Sequence, residues 1–313
     1  MGPIPPAGSD LHFIVGYKGA EIRWKGVPLV TELVSRLRQS GAVGEVFVAG
    51  PSRVFSSLTD SPVIDTDASV GQNIATAMAF LRSTGRAEGP VGFMACDVLP
   101  RADEIRELLE QLLGPGEAAS AGPAPGPEAV GEPPAAMALP LIQAAQDLGA
   151  SRWKPRYGIR PAPGEPAIPF LPGHLLVAWP SRLRLEIIYR LLSLAYRERN
   201  RDFSRRPRSI VARLLGTLLF RDLTNLLRLK FPLVTYMVLR HGLATFFRWR
   251  RGDLDLDGLA RGLGAVLVRR KHFRRWGGGC IRLVASRHIS FAKDIDTREE
   301  LAEMDGGAGA PSA

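Results

Sequence analysis

The sequence predicts an α/β protein: a three-layer α/β/α sandwich on a mainly parallel sheet, with a helical insert. Three observations lead there. Short apolar runs bounded by glycine or proline alternate with amphipathic helical windows between residues 11 and 113. Further windows between 183 and 249 carry apolar stripes at helical spacing. After residue 264, two more apolar runs and a last helical window follow.

Leu11-His12-Phe13-Ile14-Val15 reads as a buried first strand ending at Gly16. Gly16-Tyr17-Lys18-Gly19 follows as a tight loop, residues 21–24 as a short edge strand, and Lys25-Gly26 as a turn. Residues 28–39 read as an amphipathic helix. Pro28 suits its first turn, Leu29, Leu33, Val34 and Leu37 form its stripe, and Gly41 stops it. Strands are expected at 45–50, 62–65 and 91–96, the last delivering Asp97, with helices at 69–81 and 101–113. Strands alternating with helices in this way suggest parallel crossovers. Residues 114–136, rich in Gly, Pro, Ala and Glu without periodicity, read as a flexible, disordered loop. A strand at 138–144, an irregular Pro-rich stretch at 154–172 and a strand at 173–179 come next. Helices are then expected at 183–198, 209–220, 223–229, 233–249 and 254–263. Closing strands at 265–268 and 280–285 precede a helix at 297–304. The organisation is thus a flexible stretch 1–10, an α/β domain 11–180, a basic helical insert 181–263, a segment 264–304 that completes the domain, and a flexible tail 305–313.

The 313 residues have a mean hydropathy of +0.01. No run reaches the roughly 18 uninterrupted apolar residues that suggest a membrane span. Met1-Gly2-Pro3-Ile4-Pro5-Pro6 lacks the basic region and apolar run of a secretory signal. The two cysteines, Cys96 and Cys280, make no disulfide framework and no metal-ligand spacing, which favours a reducing cytoplasm. Net charge is +10. Residues 181–276 carry 23 Lys/Arg against 7 Asp/Glu, leaving the remainder net acidic. An anionic partner is expected: nucleotide phosphates, a phosphorylated substrate or an anionic membrane face, with nucleic acid the least favoured. An Arg-for-Lys bias beside high Ala, Gly and Pro gives part of this excess a purely compositional explanation. No Ser/His/Asp order, Walker loop or zinc spacing is present, and nothing speaks to oligomeric state.

Two acidic features carry the chemistry. Asp97 stands at the end of a buried apolar strand, the edge where ligands collect in open α/β sheets. A carboxylate there can hold Mg²⁺ against substrate phosphates, since Mg²⁺ needs only one or two protein carboxylates. Asp294 and Asp296 precede a helix N-capped by Thr297, with Glu299 and Glu300 in its first turn. On an extended segment, residues two apart point to the same side, so both aspartates can face one ion.

These pieces resemble the MobA-like nucleotidyltransferase superfamily, whose fold is of the glycosyltransferase-A kind. Lys18 through Val30 is similar to the family's lysine, short strand, G-x-P-L stretch and first helix. Ala95-Cys96-Asp97-Val98-Leu99-Pro100 is similar to its metal-binding D-x-P segment, with one extra residue. Asp294-Ile295-Asp296-Thr297-Arg298-Glu299-Glu300-Leu301 is similar to its terminal D-I-D-T-P-E-D-L, with Arg298 where proline is usual. The resemblance covers residues 11–113 and 265–304. It implies transfer of a nucleotidyl group from a nucleoside triphosphate to a small or lipid-linked phosphorylated acceptor, with Mg²⁺ as cofactor and pyrophosphate released. Asp97 and Asp296 would bind the metal, with Asp294 the weaker ligand. Gly16, Lys18, Gly19, Gln72 and Asn73 would contact the nucleotide, and Gly173 and His174 the acceptor. The family's long glycine-rich loop after its first strand is shortened here. That leaves two alternatives: a nucleotide-binding pseudoenzyme, and a basic adaptor on an anionic membrane surface, motivated by arginines interleaved with Phe246, Phe247, Trp249, Phe273 and Trp276.

Overall fold

The computed structural model describes residues 12, 14, 16–114, 135–144, 148, 149, 151, 154–198, 216, 219, 220, 222, 223 and 234–307. A one-turn helix, α1 (Lys18–Glu21), leads into a hairpin of β1 (Arg23–Trp24) and β2 (Val27–Pro28). Its turn residues Lys25 and Gly26 have φ of 48° and 83°, the left-handed pair that a two-residue type I′ turn requires. Helix α2 (Leu29–Ser40) buries Leu29, Val30, Leu33 and Val34 and ends on Gly41 at φ 66°, where glycine forms the left-handed cap without a Cβ penalty. There follow β3 (Val48–Gly50), α3 (Ser52–Phe55), β4 (Val63–Asp65), α4 (Val70–Ser83), β5 (Val91–Met94) and α5 (Ala102–Leu113). Apart from the single turn α3, each falls at the window expected from spacing.

The second half comprises β6 (Met137–Gln143), β7 (Tyr157–Ile159), β8 (Ile168–Pro172), β9 (Leu175–Ala178) and α6 (Leu185–Glu198). It continues with α7 (Val234–Arg250), α8 (Leu256–Leu267), α9 (Arg270–Trp276), β10 (Ile281–Ser286) and α10 (Arg298–Gly307). The expectations for 1–10, for most of 114–136, for most of the helices at 209–220 and 223–229, and for the tail after 307 lie outside the described residues. So do Leu11, Phe13 and Val15 of the first expected strand.

The mainly parallel sandwich does not hold. The large sheet has six strands in the order β5-β9-β6-β8-β7, with β10 attached to β6. Among the described residues, only the β10–β6 pairing of this sheet is parallel; the other four are antiparallel. A separate parallel pair, β3–β4, has just two strands. Two-sided burial is the reason the sequence misled. From β6, Ala138 and Ile142 enter a core with Ile105, Leu108 and Leu112 of α5. Met137 and Leu139 of the same strand meet Ile187 of α6 and Leu267 of α8 on the opposite side. A strand covered on both faces reads as an unbroken apolar run whatever the direction of its neighbours, although such runs are usually taken as parallel.

Two further differences have local causes. The stretch 154–172, expected to be irregular, supplies β7 and β8. Pro169 and Pro172 hide the strand pattern, yet the Pro169 carbonyl still accepts from the Ala144 amide at 2.9 Å. Residues 265–267, expected as strand, finish α8, and Val268 makes only an isolated bridge to Leu183.

β8 and β9 lie end to end along β6. Met137 faces Ala178 and Leu141 faces Pro172, so four steps on β6 (137 to 141) oppose six on the facing chain (178 to 172). The two extra residues, Gly173 and His174, form a bulge, a device that re-aims a side chain out of the ladder. A Cβ on Gly173 would lie 2.6 Å from Pro140 Cγ and 3.0 Å from the Pro140 carbonyl oxygen. Only glycine fits that approach.

Candidate functional site

Three segments meet beyond the end of β5. Gly19 of α1 packs on the chain leaving the strand: a Cβ there would stand 2.8 Å from the Cys96 sulfur. This close approach brings Lys18 to Asp97. The third segment, 294–296, is held from two sides. The Ile295 amide donates to the Asp97 carbonyl and the Ile14 amide to the Asp296 carbonyl, each at 2.9 Å. One carboxylate oxygen each from Asp97, Asp294 and Asp296 then lie within 4.8 Å of one another.

Two lysines offset this negative charge. Lys18 Nζ donates to Asp97 Oδ2 at 3.2 Å and also to Asp296 Oδ1. Burial works against the Lys18 charge, but the Asp97 and Asp296 carboxylates outweigh it and hold its pKa above the ordinary lysine value. Lys154 Nζ bonds Asp294 Oδ1 and lies 3.2 Å from Glu300 Oε1. His174, projected by the bulge, places Nε2 3.3 Å from Asp294 Oδ1. Burial alone would raise the Asp294 carboxyl; His174 and Lys154 instead hold it well below the usual carboxylate range. Burial likewise opposes a charged His174, and its bond to Asp294 reverses that, so the imidazole keeps its proton to higher pH than a free histidine.

Glu300 is the joint beneath the site. Its Oε2 accepts from the amides of Asp296 at 2.7 Å and Thr297 at 3.1 Å. Its own amide donates to Thr297 Oγ1 at 3.1 Å, completing a reciprocal capping box at the start of α10. Its Oε1 accepts from Ser151 Oγ at 2.6 Å. Sequence reasoning placed Glu300 only in the first helical turn, and it missed Ser151 and Lys154. The Thr297-x-x-Glu300 spacing would have exposed the capping box. Nothing local distinguishes Lys154, whose partners lie about 140 residues on.

The remaining candidates have other partners. Gly16, at φ 119°, allows the Glu21 carboxylate to close back on the loop, where Glu21 Oε1 accepts from the Tyr17 amide at 3.0 Å. Gln72 Oε1 accepts from the Ser69 amide and hydroxyl at the start of α4. Asn73 Oδ1 accepts from Thr66 Oγ1 and the Ala68 amide, tying down the β4–α4 loop. That loop touches the neighbour of Lys18 through Asp67, which accepts the Tyr17 hydroxyl at 2.9 Å. Cys96 is exposed as a residue, but its thiol faces Gly19 and burial pushes it up to about 11, which leaves little thiolate at neutral pH.

No protein-family model matches the chain, and neither does any curated protein. Among solved structures, one described as a hypothetical transferase from Thermus thermophilus is similar at 15% sequence identity. It covers 92% of this chain and 91% of its own, with a TM-score of 0.49. A likeness that weak does not bear on activity, so the functional reading stands on the site. The MobA-like superfamily stays a resemblance carried by the motif residues.

Proposed function

We propose that the chain is a nucleotidyltransferase: Mg²⁺-dependent, moving a nucleotidyl group from a nucleoside triphosphate to a phosphorylated acceptor. The observation that carries this reading is the convergence of one oxygen each from the Asp97, Asp294 and Asp296 carboxylates within 4.8 Å beside the half-buried Lys18 ammonium. The donor set fits Mg²⁺, a hard ion that takes oxygen ligands and leaves part of its shell to substrate phosphates. Asp97 and Asp296 would hold it. Asp294, committed to Lys154 and His174, would sit beside them. A bound ion would neutralise charge gathering on the phosphates during transfer.

The other roles belong to the protein. Lys18 carries the positive charge nearest the carboxylates, and on triphosphate binding would exchange a carboxylate for a phosphate oxygen. His174, whose charged form is favoured by its bond to Asp294, would offer a cation to an anionic acceptor. An acceptor phosphate oxygen would attack the α-phosphorus. The bond from that phosphorus to the bridging oxygen would break, and pyrophosphate would leave with the electron pair. Positioning and charge compensation supply the rate, with no covalent enzyme intermediate.

Pyrophosphate release, assayed with each triphosphate, Mg²⁺ and sugar or alcohol phosphates, tests the reading. Activity is expected in the wild type and a loss of at least about a hundredfold in Asp97→Ala. Equal activity in both would refute the site. A second reading, a nucleotide-binding protein without turnover, is favoured by Glu21 bonding the backbone of the shortened loop. Nucleotide binding with no pyrophosphate release would select it.

A further inference from the structure

Helix α7 carries large apolar side chains on the side turned away from the protein. Its inner side is fixed: Thr245 lies against Gly262 and Arg248 against Gly258, both of α8, where a Cβ would collide with these side chains. His241 meets Phe273 of α9 edge-on at 6.1 Å between ring centres. The opposite side holds Tyr236, Arg240, Leu243, Phe247 and Arg250, spaced four, three, four and three residues apart, which is a single stripe of an α-helix. The Arg240 guanidinium reaches back to the Tyr236 hydroxyl at 3.3 Å, as that alignment requires. Tyr236 is 59% exposed, Phe247 52%, and Leu243 and the flanking Phe246 43% each. A helix on a water-facing surface normally turns such residues inward, and contiguous apolar side chains on a surface mark an interaction site.

We propose that this stripe docks the protein on an anionic lipid bilayer, with α7 lying in the plane of the headgroups. Charge complementarity selects the occupant. The 17 residues of α7 include three arginines and no acid. The adjoining α9, Arg-Lys-His-Phe-Arg-Arg-Trp, adds four basic residues and again no acid. Aromatic and leucine side chains enter the headgroup–acyl boundary while arginines on the same stripe reach up to lipid phosphates. Among the described residues no helix is long and apolar enough to cross a membrane, so α7 would lie along the surface. A nucleic-acid groove explains the arginines but not three outward aromatic side chains and a leucine.

The test is co-sedimentation of the full chain with phosphatidylcholine vesicles, with and without phosphatidylglycerol, at low and high salt. Binding is expected to the anionic vesicles at low salt only. Arg240→Glu with Arg250→Glu should weaken it roughly fivefold or more per arginine, from about 1 kcal/mol each at the surface. Phe246→Ser with Phe247→Ser should weaken it at least about tenfold. These side chains face solvent, and circular dichroism verifies that each variant is folded. Three results would overturn the proposal. One is no pelleting with anionic vesicles. Another is pelleting unchanged by the Phe substitutions. The third is a role for the stripe elsewhere: a dimer that the Phe substitutions dissociate, or DNA binding in place of vesicle binding. None of these readouts depends on catalysis, so the proposal stands or falls apart from the proposed activity.

Discussion

At the scale of single residues, the site is a balance of buried charges. Glu300, 6% exposed, meets Lys154, Ser151 and two backbone amides. Removing one partner of a buried pair leaves the other uncompensated, at a cost of about 3–5 kcal/mol. Glu300→Ala should therefore lower the urea-unfolding free energy by about that amount, and Glu300→Gln, which retains the amide contacts, by less. A second residue pair reports on the approach of the N-terminal segment. The bond from His12 holds the Glu299 carboxyl near 2 instead of 4.5. A depressed carboxylate pKa contributes stability above the unfolded value of 4.5, and that contribution fades as pH falls from 4.5 through 2. NMR titration of Glu299 should show a midpoint near 2 in the wild type and a return toward 4.5 in His12→Ala. The aspartates were legible in the sequence because a strand-end acid and a spaced pair before a helix cap are local patterns. Lys154 and Ser151 were not, because each earns its role from partners about 140 to 150 residues away.

At the scale of elements, the β8–β9 bulge decides where His174 points. The bulge was hidden because strand spacing reveals a run of apolar residues but not the two-residue mismatch against a distant partner. Gly173→Ala would drive a methyl group against Pro140, including the carbonyl that accepts the Gly173 amide at 3.1 Å. Displacing a positioned group by about 1 Å costs roughly a hundredfold in rate. The substitution should thus cut pyrophosphate release at least about tenfold while leaving the far-UV circular dichroism of the wild type. An unchanged rate would separate His174 from the chemistry. Helix ends were far easier to read: Gly41 declares its left-handed cap without reference to anything remote.

At the scale of the whole molecule, the large sheet is clad by α5 on one face and by α6 and α8 on the other. Its apolar runs recorded that burial and were silent about strand direction, which depends on connections through 135–183 that proline-rich sequence disguises. Ile142, fully buried where β6 meets α5, tests the cladding. Ile142→Ala should cost about 2–5 kcal/mol in equilibrium unfolding, through lost transfer energy and the cavity left behind. An exposed position on the same protein, such as Phe247→Ala, should change stability by no more than about 0.5 kcal/mol.

The hydrogen bonds that clamp residues 294–296 join Ile14 and Asp97 to a segment that comes much later in the sequence. Asp296 also needs Glu300 for its backbone amide. During synthesis the first two parts leave the ribosome long before the last. The carboxylate cluster therefore assembles only after residues 294–300 have been made. Until residues 296–300 have emerged, Lys18 and Asp97 have no Asp296 to meet, and the charges of the cluster stay unpaired across the chain.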